Sequence, residues 1–133
     1  MYKLAISTSG EYVSAAIFEE KLLASFVSKT NKGSTGILLN QINELFDKTM
    51  ASRNDLNALY LDVGPGYYTG LRIGLSVSQG LGAVLGIPII PVNGLDALAF
   101  AAHTSHRKIC SLIDIKRNEF AYCEYMPVPG GVT

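Results

Sequence analysis

The residues best placed to do chemistry lie in one run, Asp62-Val63-Gly64-Pro65-Gly66-Tyr67-Tyr68-Thr69-Gly70-Leu71-Arg72-Ile73-Gly74-Leu75. An apolar strand ends, glycines bend the backbone, and a helix begins with Thr69 positioned to cap it. A strand, a glycine turn and a helix N-terminus together offer free backbone N–H groups and a positive dipole end, which suits an anion such as phosphate. Gly64, Gly66, Thr69 and Gly70 are the residues that would make such contacts. The run is not a Walker A loop, since no Lys-Ser/Thr pair follows. It is not the dinucleotide fingerprint either, because its third glycine falls one residue late and no acidic residue stands on a following strand. A tight strand-to-helix turn with no ligand is the competing reading. Asp62, at the end of its strand, is placed either as a functional acid or as a turn-forming residue.

Other catalytic constellations are missing. His103 and His106 are the only histidines and have no carboxylate or cysteine at ligand spacing, so no metal site is predicted. Cys110 and Cys123 fit neither a zinc nor a thioredoxin-like motif and read as free thiols. No nucleophile elbow, carboxylate pair or Cys-His motif occurs, and no catalytic residue is assigned. Asp114 and Glu119 flank Lys116-Arg117 and are expected to form surface ion pairs.

These residues must be positioned by a small apolar chain. Of 133 residues, 48% are hydrophobic and 17% charged, with 11 basic and 11 acidic side chains. That balance excludes disorder and gives no cationic excess for gripping nucleic acid by bulk electrostatics. Tyr2–Ser7, Tyr12–Phe18 and Leu22–Val27 read as three strands of an antiparallel meander. Leu38, Leu39, Ile42, Leu45, Phe46 and Met50 then fall at helical spacing from Ser34 to Met50, with Ser34 or Thr35 as cap. Leu59–Val63 is a fourth strand, Leu71–Leu85 a second helix, Ile87–Val92 a fifth strand, and Gly94–Ala102 a third helix capped by Asn93. A hairpin, Ile109–Ile115 with Phe120–Met126, closes the series. A meander followed by alternating β and α predicts a mixed α/β sheet covered by helices. Ile73–Val92 carries no charge over about the length of a membrane span, but Pro88 and Pro91 would break it. The N-terminus has no long apolar run, so no signal peptide is expected.

The 13 glycines exceed ordinary usage. Gly70, Gly74, Ser78, Gly82 and Gly86 recur every four residues and form one narrow stripe on the second helix. Such a stripe admits a close neighbour, either the first helix of the same chain or the helices of a partner.

In its motifs the chain resembles the TsaB (YeaZ) family. Lys3-Leu4-Ala5-Ile6-Ser7-Thr8-Ser9, the run Gly64–Leu75 and Asp114-Ile115-Lys116-Arg117-Asn118-Glu119-Phe120 carry the resemblance, in order and spacing. It implies a ribonuclease-H-like lobe of the actin/Hsp70 ATPase type, complete over residues 1–104, and the opening hairpin of an incomplete second lobe over 105–133. It implies a cytoplasmic, noncatalytic scaffold for a TsaD-type enzyme that makes threonylcarbamoyladenosine on tRNA. Pairing, with that enzyme or with a second copy, would run through the first two helices, with Leu38, Ile42, Leu71, Gly74, Leu75, Ser78 and Gly82 at the interface. A TsaE-type ATPase is a further implied partner. Ser7 stands where the family usually has Asp, Gly33-Ser34 where it often has His-Ser, and Tyr67-Tyr68 where it has a smaller pair. No cofactor is therefore expected on the chain alone, and ATP with magnesium only in complex. The alternative is a nucleotide-binding ATPase or glycoprotease-like enzyme using the turn 64–70.

Overall fold

The computed structural model describes residues 1–29, 34–102, 106–128 and 131–132. Gly33, His103 and the side chains of Ser34 and Thr35 lie outside the described residues, so the expected cap of the first helix does too. Strands β1 (Tyr2–Ser7), β2 (Tyr12–Phe18) and β3 (Leu22–Lys29) lead into α1 (Ser34–Thr49), then β4 (Leu56–Asp62), α2 (Tyr68–Leu85), β5 (Ile89–Val92) and α3 (Gly94–Ala101). A hairpin of β6 (Ile109–Asp114) and β7 (Phe120–Tyr125) and a short ribbon of β8 (Pro127–Val128) and β9 (Gly131–Val132) follow. The first five strands form one sheet in the order β3-β2-β1-β4-β5. The β1–β2 and β2–β3 pairs are antiparallel, whereas β1–β4 and β4–β5 are parallel. The parallel pairs require crossovers, which α1 and α2 supply.

Alternation decides which sheet face is buried. Leu4, Ile6, Val13, Ala15 and Ile17 point to one side and meet Leu38, Ile42, Leu45 and Phe46 of α1. Each fully buried leucine of this kind contributes about 2 kcal/mol. Leu38 is 0% exposed and Ile42 3%, so neither is available to a partner. The interface expected at these two positions is corrected: their helical spacing marks the face that covers the sheet. Leu39, in the same periodic series, is 40% exposed.

Element limits shift modestly from the sequence reading. β4 starts at Leu56 because a 3-10 turn, Arg53–Asp55, delivers it, and Ser52 accepts from the Asn54 amide. β5 starts two residues later than expected because Gly86 caps α2 in the left-handed conformation and Pro88 has no N–H to give a ladder. Asn93 caps α3 as predicted, accepting from the amides of Leu95 and Asp96. Among the described residues no helix is long and apolar enough to cross a membrane.

A second, smaller core lies beyond β5. Ala99 of α3 packs with Ile109 and Tyr125 of the hairpin. The Ser111 hydroxyl donates to Leu95 O at 2.8 Å, and the Tyr125 hydroxyl donates to Asp96. Burial first, and then the Asp96 carboxylate, push the Tyr125 phenol well above its ordinary pKa. α3 therefore packs with the hairpin.

The end of α1 is strained. Met50 follows α1 with φ 56°, the left-handed position where glycine usually sits, and its side chain is 89% exposed. Glycine adopts the left-handed region without the Cβ penalty of about 1–2 kcal/mol, and its larger unfolded-state entropy offsets part of that gain. Met50→Gly is expected to stabilise by about 0.5–1 kcal/mol. A raised urea midpoint at unchanged slope would show it, and a lowered midpoint would refute the strain.

Candidate functional site at the glycine turn

The parallel pairing of β1 and β4 brings their C-terminal ends together. Ile6 is in register with Leu61, so Ser7 emerges beside Asp62. There Asp62 gathers three donors. The Ser7 and Ser9 hydroxyls give to Oδ2 at 2.7 and 2.6 Å, and the Gly64 amide gives to Oδ1 at 2.8 Å. The turn-forming role expected for Asp62 is thus present, and the carboxylate also ties β4 to the segment after β1. The sequence reading missed that tie. Its signal was the hydroxyl run Ser7-Thr8-Ser9 directly after a strand that pairs parallel to β4.

The turn itself is shaped by close backbone approach. Gly64 has φ 92°, and the Gly64–Pro65 peptide is cis. A Cβ on Gly66 would lie 2.3 Å from Ser9 O, and one on Gly70 would lie 2.0 Å from Thr8 O. No side chain fits at either place. The contact is reinforced by Tyr67 N–H donating to Ser9 O at 2.7 Å and by Thr8 Oγ1 donating to Gly70 O at 2.6 Å. These glycines are therefore required by the chain's own β1–β2 connection.

The helix starts earlier than expected. Tyr67 is its extended N-cap residue and makes no side-chain cap bond. Thr69 is therefore inside the first turn and is exposed, which corrects its assignment as cap. The Ser9–Tyr67 hydrogen bond fixes the chain before Thr69 is reached.

The small-residue stripe of α2 also finds its partner within the chain. Gly74 faces Thr8 Oγ1 and Leu61, and Gly82 faces Ile87 and Ile89. Ser78 is 0% exposed. The stripe seats α2 on its own sheet, so Gly74, Ser78 and Gly82 cannot serve as a surface for another chain. Of the residues expected at an interface, Leu71 is half-buried and Leu75, at 45% exposure, is on the surface. A different strip of α2 faces outward. Ser76, Gly80 and Ala83 are exposed there beside Arg72 and Gln79, with Leu75 and Val84, also exposed, farther round on either side. A Cβ on Gly80 would meet nothing within 4 Å.

A cleft of about 630 Å³ opens beside the turn. Gly66, Tyr67, Thr69 and Gly70 line one side, and Lys116, Arg117 and Glu119 of the hairpin tip line the other. Gly64 is buried behind the turn and is not among its lining residues. The Lys116 ammonium sits 4.3 Å from the centre of the Tyr67 ring, and the Arg72 guanidinium 5.4 Å from that of Tyr68. Asp114 accepts the Lys116 amide at 2.8 Å. It therefore shapes the hairpin turn, and the ion pair expected with Lys116 does not form. Chemically, the cleft offers an uncapped helix start and two cations. A nucleophile–base pair is not found among its described residues.

Comparison with known proteins agrees with this architecture. The family model of TsaD, tRNA N6-adenosine threonylcarbamoyltransferase, matches residues 23–129. The tRNA threonylcarbamoyladenosine biosynthesis protein TsaB of Buchnera aphidicola subsp. Schizaphis graminum is 30% identical over 125 residues, 92% of this chain and 60% of that protein. TsaB of Escherichia coli K12 is 28% identical over 131 residues, 97% of this chain and 57% of that one. The YeaZ structure from Pseudomonas aeruginosa superposes with a TM-score of 0.87 at 27% identity, covering 99% of this chain and 63% of that one. The chain thus spans less than two thirds of the length of each of these proteins. Its meander, two crossover helices and five-stranded mixed sheet form a ribonuclease-H-like lobe of the actin type, and the chain belongs to the TsaB (YeaZ) family within the wider TsaD group.

Proposed function

We propose that this chain is the noncatalytic partner of a TsaD-type enzyme in making threonylcarbamoyladenosine on tRNA, and that it docks through the outer face of α2. The observation that carries the reading is the exposed strip Ser76-Gly80-Ala83, flanked farther round by Leu75 and by Val84 at 84% exposure. Small side chains at i, i+4 and i+7 let a second helix approach closely, and the flanking aliphatic side chains give it apolar area to bury. The setting would be the cytoplasm. A second copy and a TsaE-type ATPase are the other proposed partners, and both can be offered in the same assay.

Ala83→Arg tests the docking face. Arginine is a good helix former at an exposed site, so stability should move by less than about 0.5 kcal/mol. Affinity for a purified TsaD-type protein should fall at least tenfold, because a long charged side chain would fill the strip. Unchanged affinity in both Ala83→Arg and Val84→Glu, measured by calorimetry, would refute the reading.

The uncapped start of α2, facing Lys116 and Arg117 across the cleft, supports a second reading in which nucleotide binds there. This is the chemistry of an ATPase or glycoprotease-like enzyme. Calorimetry with ATP and magnesium separates the two. Heat only when the TsaD-type protein is present favours the scaffold, and saturable binding to the chain alone favours the enzyme.

A further inference from the structure

The hairpin tip reaches the glycine turn through an unusual backbone. Lys116, Arg117 and Asn118 have φ 65°, 59° and 59°. Three successive non-glycine residues in the left-handed region are sparsely populated and persist only where their surroundings hold them. Here the holding groups are visible. Asp114 accepts the Lys116 amide, Ile115 N–H donates to Glu119 O at 3.2 Å, and Glu119 N–H donates to Lys116 O at 3.2 Å. The base of the hairpin is tied to α3 by Ser111 and Tyr125. The geometry delivers one cation, Lys116, to one ring, Tyr67, at 4.3 Å. Tyr67 is itself fixed to the β1–β2 connection by its bond to Ser9 O.

We propose that the β6–β7 tip is a strap over the cleft, latched to the glycine turn by the Lys116–Tyr67 contact. The two sides of the cleft belong to different cores, the five-stranded sheet and the α3–hairpin unit. Anything that fills the cleft between them meets this contact. A cation over an aromatic ring at an exposed site is a weak interaction. The latch therefore opens readily and sets a population of closed and open states rather than locking one. Tyr67 immediately precedes α2, so an open latch removes one restraint on the first turn of the helix that bears the outward strip, while the Tyr67–Ser9 bond stays. That last link rests on the proposed docking face, whereas the latch does not.

Proton NMR and amide exchange on the intact chain test the latch. In the closed state the Lys116 ε-methylene protons lie in the ring current of Tyr67 and should resonate upfield of the other lysines. Tyr67→Leu should return them to ordinary positions. Lys116→Met keeps the apolar stem and removes the charge. It should speed exchange of the Tyr67 and Tyr68 amides two- to fivefold, while the core amides of Leu4 and Leu59 stay unchanged. Arg117→Met should leave all of them as they were. An unshifted Lys116 resonance in the parent chain would overturn the latch, as would equal exchange in Lys116→Met and the parent. A change of TsaD-type affinity in Lys116→Met would support the link to α2. Unchanged affinity with accelerated exchange would refute that link and leave the latch standing.

Discussion

Gly70→Ala is expected to cost the protein 3 kcal/mol or more, a large share of the roughly 5–15 kcal/mol that holds a domain of this size. The new methyl would lie 2.0 Å from Thr8 O, a backbone carbonyl at the end of the central strand β1. Overpacking usually costs about 1–3 kcal/mol when side chains can yield. Here the obstacle is backbone, and the carbonyl sits next to the Thr8–Gly70 and Ser9–Tyr67 hydrogen bonds. Moving it away would sacrifice both. Gly80→Ala is the matched control on the same helix. Its Cβ meets nothing within 4 Å, and replacing an exposed helical glycine by alanine should gain up to about 1 kcal/mol. The two variants should differ by about 4 kcal/mol, which separates their urea midpoints by more than about 1 M for a chain of this length. Coincident midpoints would show that the turn does not depend on the close approach.

The contrast between these glycines also explains what the sequence could and could not reveal. Strand and helix order followed from periodicity, because Leu4-Ile6 and Val13-Ala15-Ile17 alternate while Leu38-Ile42-Leu45 recur helically. The phosphate-like turn was legible as a turn, since glycine content and a strand-to-helix switch are local signals. Which side of α2 its small stripe faced was not legible. Gly74 and Gly80 look alike in a sequence, and only the sheet's position makes one a contact point and the other open surface. The same limit hid the Ser7–Asp62 and Ser9–Asp62 bonds, which join residues far apart in the chain through parallel strand register. It also hid the Tyr67–Lys116 contact, which needs the hairpin folded back over the turn. Leu38, Ile42, Gly74, Ser78 and Gly82 face inward for a reason the sequence does not show: an apolar or small helical position announces that something packs there, and not whether that neighbour is the same chain.

Asp62→Ala should lower stability by about 3 kcal/mol, because it strands three donors at a half-buried site. Asp62→Asn should cost less, about 1 kcal/mol, since its amide oxygen still accepts from Gly64 and each serine hydroxyl can turn to accept from the new N–H₂ group. The order of the two variants therefore reports on hydrogen bonding rather than on side-chain volume. A double-mutant cycle with Ser7→Ala isolates the long-range bond: Ser7→Ala should be costly in the parent and nearly neutral once Asp62 is Ala. Additive costs would mean that the Ser7–Asp62 contact contributes nothing. The same variants bear on the older question of whether Asp62 is an acid at work or a residue that shapes a turn. If it shapes the turn, tRNA modification by the proposed complex with a TsaD-type enzyme should fall only as far as the folded fraction falls. If activity drops in Asp62→Asn while the chain stays folded and bound to the proposed TsaD-type partner, the carboxylate itself is needed, and the purely structural role is wrong.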